Sequence, residues 1–152
     1  LKTNTLLLFR FVEKHGKILY DMIKEESNSR TIFFVHGGTD ANTREQIRHI
    51  VESEQDAIIV ASYGVFSVGV DIKNLHNIVF ASPSKSRVRN LQSIGRGLRK
   101  SKNKDIATLY DIADDLSYGS NHNYTLDHFE ERKKIYKEER FTVAEYVVQL
   151  KT

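Results

Sequence analysis

The chain alternates between short continuous apolar runs and longer stretches in which apolar residues recur at helical spacing. Short apolar runs bounded by turn formers are typical of strands that are buried on both faces of a parallel sheet. Apolar residues three and four positions apart are typical of helices with one buried face. The strands predicted from the runs are Thr5–Phe11, Thr31–Val35, Ala57–Ala61, Asn77–Ala81 and Asp105–Ile112.

Two helices are predicted between the first three strands, at Val12–Glu26 and Asn42–Ser53. Strands that alternate with helices form right-handed βαβ units. We therefore predict an α/β fold with a doubly wound, mainly parallel sheet, flanking helices and a helical appendage at the C-terminal end. The residues expected to face the core are Ile18, Leu19, Met22 and Ile23 in the first helix and Ile47, Ile50 and Val51 in the second.

The chain beyond the last predicted strand is more polar, and its pattern predicts a turn followed by a helix. Residues 117–124 are rich in turn formers and are predicted to be a linker. Thr125 is the expected cap of a helix that runs to about Glu139, with Arg132 on its solvated face, and a short helix is expected at Thr142–Leu150. The predicted organisation is a domain at residues 1–116, the linker at 117–124 and a helical extension at 125–152.

The stretch Ser84–Lys104 is the most unusual part of the sequence. Between Lys85 and Lys104 it has eight Lys or Arg residues and no Asp or Glu. Gly95 and Gly97 interrupt its helical pattern at about 1 kcal/mol each relative to Ala, a cost that close approach to a ligand or to another backbone would explain. One helical stripe holds Val88, Leu91, Ile94 and Leu98, and a second, about 140° away, holds Arg89, Gln92, Arg96 and Arg99.

The pattern Gln92-x-x-Gly95-Arg96-x-x-Arg99 resembles the last conserved motif of superfamily 2 helicases. In that family the motif lies in the second RecA-like domain, and its arginines reach across a cleft to the phosphates of ATP. A guanidinium group suits this role because it is permanently charged and forks onto phosphate oxygens. The resemblance implies that Arg96 and Arg99 are catalytic, that Gln92 orients them and that Gly95 approaches the nucleotide. The alternative is a solvated basic face on a surface helix.

The segment from Ser62 to Asp71 resembles motif V of the same family, a Ser or Thr followed by G-x-D. The resemblance implies that Gly69 and Asp71 lie on the nucleotide side, and that Ser62, Tyr63 and Gly64 contact the nucleic-acid strand. Many relatives have the Ser or Thr at position 63, where this chain has Tyr, so either Ser62 or Ser67 would take that role. The alternative is an ordinary turn.

His36 and Gly37, with Arg44 seven residues after the glycine, match a third family feature. Gly37, Gly38 and Thr39 would present amides and a hydroxyl at a helix N-terminus, an arrangement that binds anions such as a strand phosphate. His36 is expected to be structural, and Arg44 is expected to form an internal salt bridge.

The first strand and the helix after it resemble motif IV, whose strand end faces the nucleic acid. Phe9 and Phe11 are candidates for base stacking, with burial in the core as the alternative for each. Arg10 is the strongest candidate for a phosphate contact, and Arg87 and Arg89 are further candidates in the basic stretch.

These four motifs occur in the family order between residues 5 and 112, whereas the sequence has neither a G-x-x-x-x-G-K-[ST] phosphate loop nor a D-E-x-D/H motif. The resemblance therefore implies that ATP with Mg is held mainly by an N-terminal RecA-like domain of the same polypeptide. This chain by itself is expected to be inactive.

The chain is similar to the recombination and repair helicases of T-even phages. That likeness implies that it unwinds or branch-migrates branched DNA and RNA–DNA hybrids and binds single-stranded DNA. The alternatives are a translocase motor on duplex DNA and a non-catalytic module that binds or anneals nucleic acid.

Composition adds several exclusions. The 152 residues contain no cysteine, which excludes disulfides and thiolate metal sites, and the six histidines show no metal-ligand spacing. The net charge of +3 is mild, so the local basic cluster carries more information than the average. Neither a membrane span nor a signal peptide is evident, and a cytoplasmic location is expected.

Overall fold

In the part of the chain that the structure describes, a fully parallel five-stranded sheet forms the centre of the fold. The computed structural model describes residues 2–66, 72, 74–82, 107–120 and 123–149. Within these ranges the strands are β1 Thr5–Phe9, β2 Ile32–Val35, β3 Ile58–Ser62, β4 Asn77–Phe80 and β5 Thr108–Asp111, in the spatial order β2-β3-β1-β4-β5. The predicted doubly wound parallel sheet is confirmed.

Four α-helices accompany the sheet in the described part of the chain, preceded by one π-helical turn at Val12–Gly16. They are α1 Lys17–Glu26, α2 Ala41–Ser53, α3 Tyr63–Phe66 and α4 Tyr124–Glu138.

Alternate residues of the strands point to opposite faces of the sheet and belong to two separate hydrophobic clusters, as expected for a sheet that is covered on both faces. Leu6 and Leu8 of β1 belong to a cluster that also contains Val51 of α2 and Tyr136 of α4. Phe9 of β1 belongs to the other cluster, which α1 covers. The central strand is therefore fully enclosed, so its direction fixes the geometry of the sheet edge where it ends.

The first strand is shorter than predicted, because the chain leaves it for the π-helical turn. Gly16 ends that turn against the ring of Phe9, where a Cβ atom would overlap the ring. A π-helical turn takes up more residues than an α-helical one, which shifts the inward face of the helix that follows. Leu19, Tyr20 and Ile23 pack on the core, whereas Ile18 and Met22 are 54% and 58% exposed. The prediction that Ile18 and Met22 face inward is wrong.

In α2 the predicted inward face is correct for Ile47 and Val51, which pack in the core. Ile50 is 42% exposed, so its inward placement was wrong. Asp40 caps the N-terminus of α2, and its carboxylate accepts hydrogen bonds from the backbone N–H of Thr43 at 2.9 Å and from the Thr43 hydroxyl at 2.6 Å. These bonds hold the pKa of Asp40 below its usual range.

The C-terminal part departs from prediction in three places. Asn123, not Thr125, caps α4 and accepts from the Leu126 N–H at 3.3 Å. Arg132, predicted to be solvated, is 1% exposed because it pairs with Asp111 of β5. Residues 142–149 are not helical. The segment is rich in β-branched residues, which are weak helix formers, and it is largely exposed, so no packing supports a helix there.

Among the described residues, none of the helices combines the length and the apolar character needed to cross a membrane.

Candidate functional site

The predicted site residues that the structure describes lie at one edge of the sheet, because the strands they follow are parallel and in register. Phe9, the last residue of β1, pairs with Ser62, the last of β3. Phe80 at the end of β4 pairs with Asp111 at the end of β5. The carboxyl ends of the strands therefore lie side by side, which is where open α/β sheets bind their ligands.

The strand order reverses at β1, which makes its carboxyl end the topological switch point. The chain goes from β1 to the far edge strand β2, returns through β3 and then crosses to β4 on the other side of β1. The backbone N–H of Arg10 donates to Ser82 Oγ at 2.9 Å, and this bond ties the residue after β1 to the segment after β4. The backbone that leaves β1 is therefore held in place at the switch point.

The three candidates of the first motif have different environments. Phe9 is buried and stacks on Phe34 with ring centroids 5.5 Å apart. Of the two predictions for Phe9, base stacking or burial in the core, burial is correct. Arg10 and Phe11 are exposed. The Arg10 guanidinium carbon lies 4.9 Å from the centroid of the Phe11 ring, a cation–π arrangement open to solvent.

The loop between β2 and α2 satisfies much of its own hydrogen bonding. The Thr39 N–H donates to the His36 carbonyl at 2.9 Å, and the His36 N–H donates to Thr39 Oγ1 at 3.1 Å. The Gly38 N–H donates to His36 Nδ1 at 3.1 Å. Since Asp40 also places a carboxylate at the start of α2, a phosphate would have to displace these bonds in order to use the Gly38 and Thr39 amides. Gly37 is exposed, with no atom within 4 Å of where a Cβ would lie.

The second strand-contacting candidate is built by the end of β3 and the short helix α3. Ser62 is 8% exposed and ends the strand. The ring of Tyr63 is 1% exposed and packs against Phe80 at 5.7 Å between centroids, so its side chain belongs to the core and cannot reach a strand in this structure. Gly64 is exposed and open above its Cα. Among the three residues, only Gly64 presents an open surface at this edge.

Sequence reasoning missed a buried polar cluster at the end of β5. Asp111 accepts from Arg132 Nε at 2.7 Å and from Arg132 Nη2 at 2.9 Å, and the Tyr136 hydroxyl also donates to it. Burial raises the pKa of Tyr136, and the adjacent Asp111 charge and hydrogen bond add to this. Among the residues that the structure describes, Arg132 Nη1 is buried and has no hydrogen-bond partner. The available signal was the spacing of Arg132 and Tyr136, which lie one helical turn apart on α4.

Arg44 does not form the predicted internal salt bridge with any residue that the structure describes. Its Nε atom is buried and has no hydrogen-bond partner within the described ranges. The side chain lines a small apolar cavity between α2 and the sheet, together with Val35, Ala61 and Ile72. Within the described ranges, no group of His, Asp and Glu side chains is arranged to hold a metal ion.

The remaining predicted site residues lie outside the described part of the chain. This set comprises the nucleotide-side and catalytic candidates and two of the phosphate-contact candidates: Gly69, Asp71, Arg87, Arg89, Gln92, Gly95, Arg96 and Arg99.

Comparison with known proteins agrees with the motif pattern. Residues 2–101 match the family described as the helicase conserved C-terminal domain. The chain is 38% identical over 157 aligned positions to the ATP-dependent DNA helicase uvsW of Enterobacteria phage T4, which covers 97% of this chain and 31% of that protein. The predicted likeness to the T-even phage helicases is confirmed, and the chain spans about a third of the length of this relative.

Two solved structures share the fold. The C-terminal part of the Fun30 ATPase domain superposes with a TM-score of 0.62 at 13% identity, over 90% of this chain and 48% of that one. The Mss116p DEAD-box helicase domain 2, bound to an RNA duplex, gives a TM-score of 0.60 at 16% identity, over 93% and 68% of the two chains. The predicted RecA-like architecture is confirmed by these likenesses.

A matching family model over residues 2–101, together with a relative 38% identical along nearly the whole chain, establishes the relationship. The chain belongs to the family of helicase conserved C-terminal domains.

Proposed function

We propose that this chain is the second motor domain of an ATP-dependent superfamily 2 DNA helicase that unwinds or branch-migrates branched DNA and RNA–DNA hybrids. The observation that supports this most directly is that Arg10, Gly64 and Gly37 are exposed and follow the carboxyl ends of three neighbouring strands of one parallel sheet, β1, β3 and β2. The name of the T4 relative, an ATP-dependent DNA helicase, supports the same activity.

In this proposal a single strand of DNA runs across the carboxyl edge of the sheet. The protein contacts chiefly its phosphates, so binding is independent of the base sequence. Arg10 supplies a charged contact, and the open positions at Gly37 and Gly64 allow the sugar–phosphate backbone to approach closely. Arg87 and Arg89 supply further charged contacts. A surface with these contacts binds single-stranded DNA without distinguishing one base from another.

The nucleotide side of the proposal rests on the helicase motifs. ATP with Mg is held mainly by a first RecA-like domain of the same polypeptide. Arg96 and Arg99 stabilise the charge on the transferring phosphoryl group when the two domains close, Gln92 orients them, and Gly69, Asp71 and Gly95 line the nucleotide. Closure on ATP and reopening after hydrolysis move the domain along one strand.

The test is Arg99→Ala in the polypeptide that carries both motor domains. ATP hydrolysis should fall by about 10³- to 10⁵-fold, the range measured for an arginine finger, while binding of a single-stranded oligonucleotide stays nearly unchanged. Lys134→Ala removes an exposed cation of α4 and serves as the charge-matched control. Unchanged hydrolysis in the Arg99 variant would instead identify a binding or annealing module.

A strand-displacement assay on a labelled fork separates the helicase from a duplex translocase. The helicase should release the labelled strand with ATP and fail to do so after Arg99→Ala. Hydrolysis of ATP without release of a strand would exclude unwinding and identify the translocase.

A further inference from the structure

Phe11 is an exposed aromatic residue at the switch point of the sheet. It is 54% exposed, whereas Phe9, two positions earlier, is fully buried. A single exposed aromatic residue is common on protein surfaces and by itself indicates nothing. Phe11 differs because the backbone on both sides of it is fixed.

Three hydrogen bonds to backbone groups of Arg10 and Phe11 hold this position. The Phe11 carbonyl accepts from the N–H groups of His15 at 3.1 Å and of Gly16 at 2.9 Å, the bonds that close the π-helical turn. On the other side, the Arg10 N–H is held by Ser82 Oγ at 2.9 Å. π-helical turns are rare and occur often at functional sites. The ring is therefore presented to solvent from a pinned backbone, so little conformational entropy is lost when it makes a contact.

The side chain of Arg10 adds a charge next to the ring. Its guanidinium carbon lies 4.9 Å from the Phe11 centroid. The guanidinium lies over the ring, so a cation and an aromatic face meet at one exposed position. Single-strand binding proteins use these two groups, the cation for the phosphate and the ring for the base.

We infer that Phe11 and Arg10 form a stacking platform for one unpaired base of the bound strand, with Arg10 contacting the adjoining phosphate. The inference rests on the function proposed above and adds to it a contact with a base. A base within a duplex has both faces covered by its neighbours, so the platform selects unpaired nucleotides.

The test compares the binding of two single-stranded oligonucleotides of equal length. One has a base at every position, and the other has the same number of phosphates but abasic sites throughout its centre. Phe11→Leu keeps an apolar side chain and removes the aromatic face, and Phe11→Trp enlarges that face. Tyr146→Ala removes an exposed aromatic residue elsewhere and is the control. All variants are made in the polypeptide with both motor domains, and binding is measured by fluorescence anisotropy.

Phe11→Leu should weaken binding of the normal strand by about 5- to 150-fold, the range for loss of one base–aromatic stack. Binding of the abasic strand should not change, and Phe11→Trp should bind the normal strand at least as tightly as the parent protein. Equal losses on both strands, or no loss on either, would overturn the platform while leaving the proposed function intact. Failure of the parent protein to bind the normal strand would overturn both.

Discussion

Asp111 and Arg132 illustrate how two charged residues become part of the interior. They lie 21 positions apart, and their side chains are 7% and 2% exposed. Asp111 is the last residue of an edge strand, a position at which an aspartate is usually taken to start a turn. Arg132 lies in a run of charged residues that is typical of a solvent-exposed helix face. Neither local pattern indicates burial. The bidentate pair compensates the desolvation of both charges only because the fold brings them together.

Replacing one member of this pair should be costly. Arg132→Ala leaves Asp111 buried without its cation, and we expect a loss of about 3–5 kcal/mol in the free energy of unfolding. The double variant Asp111→Leu, Arg132→Met should lose much less than the sum of the two single changes, since no charge is then left unpaired. Urea denaturation followed by circular dichroism measures both.

Lys134→Ala provides the comparison for this experiment. It removes an exposed cation from the same helix and should leave the free energy of unfolding nearly unchanged. A loss of similar size in the Arg132 and Lys134 variants would mean that helix content, not the buried pair, controls stability.

At the scale of elements, the π-helical turn at Val12–Gly16 decides more than its length suggests. It ends β1 two residues earlier than the apolar run predicts, turns Leu19 and Ile23 inward and leaves Phe11 exposed. Gly16 makes this geometry possible because only a residue without Cβ fits against the Phe9 ring.

Gly16→Ala should therefore reduce the free energy of unfolding by about 1–3 kcal/mol, the usual cost of overpacking a core. Gly64→Ala is the matched control, because no atom lies within 4 Å of its Cβ position, and it should change stability by about 0.5 kcal/mol or less. Thermal and urea unfolding of the two variants measure the difference. Equal stability of the two variants would show that the turn relaxes without cost.

At the scale of the whole molecule, α4 and Phe141 pack on the sheet, whereas residues 142–149 are exposed. Tyr136 lies in the same core cluster as Leu6 and Ile78, and Phe141 packs against that cluster. Beyond Phe141 the side chains are largely exposed, with Tyr146 and Val147 at 84% and 91%. The division into a domain at residues 1–116 and an extension at 125–152 stays a prediction, and these contacts indicate how to test it.

Two truncations separate the contributions. A chain ending at Phe141 should keep the unfolding free energy of the full chain, because residues 142–149 make few buried contacts. A chain ending at Ser120 lacks Tyr136 in the core, and its buried Asp111 has lost the paired Arg132. Since small domains have about 5–15 kcal/mol of net stability, it should lose most of its cooperative transition in urea. Equal unfolding curves for the two truncations would make α4 an independent appendage.

The sequence alone determined the strands, the parallel sheet, the family and the edge at which the predicted site lies. These follow from local patterns, since a continuous apolar run predicts a buried parallel strand and parallel strands put their carboxyl ends together. Only the tertiary structure decided which candidates are accessible: Tyr63 is packed under Phe80, while Arg10 and Phe11 are open. The reason is physical. Burial of a side chain depends on what lies opposite it, and the partners of Tyr63 and Arg132 are distant in sequence.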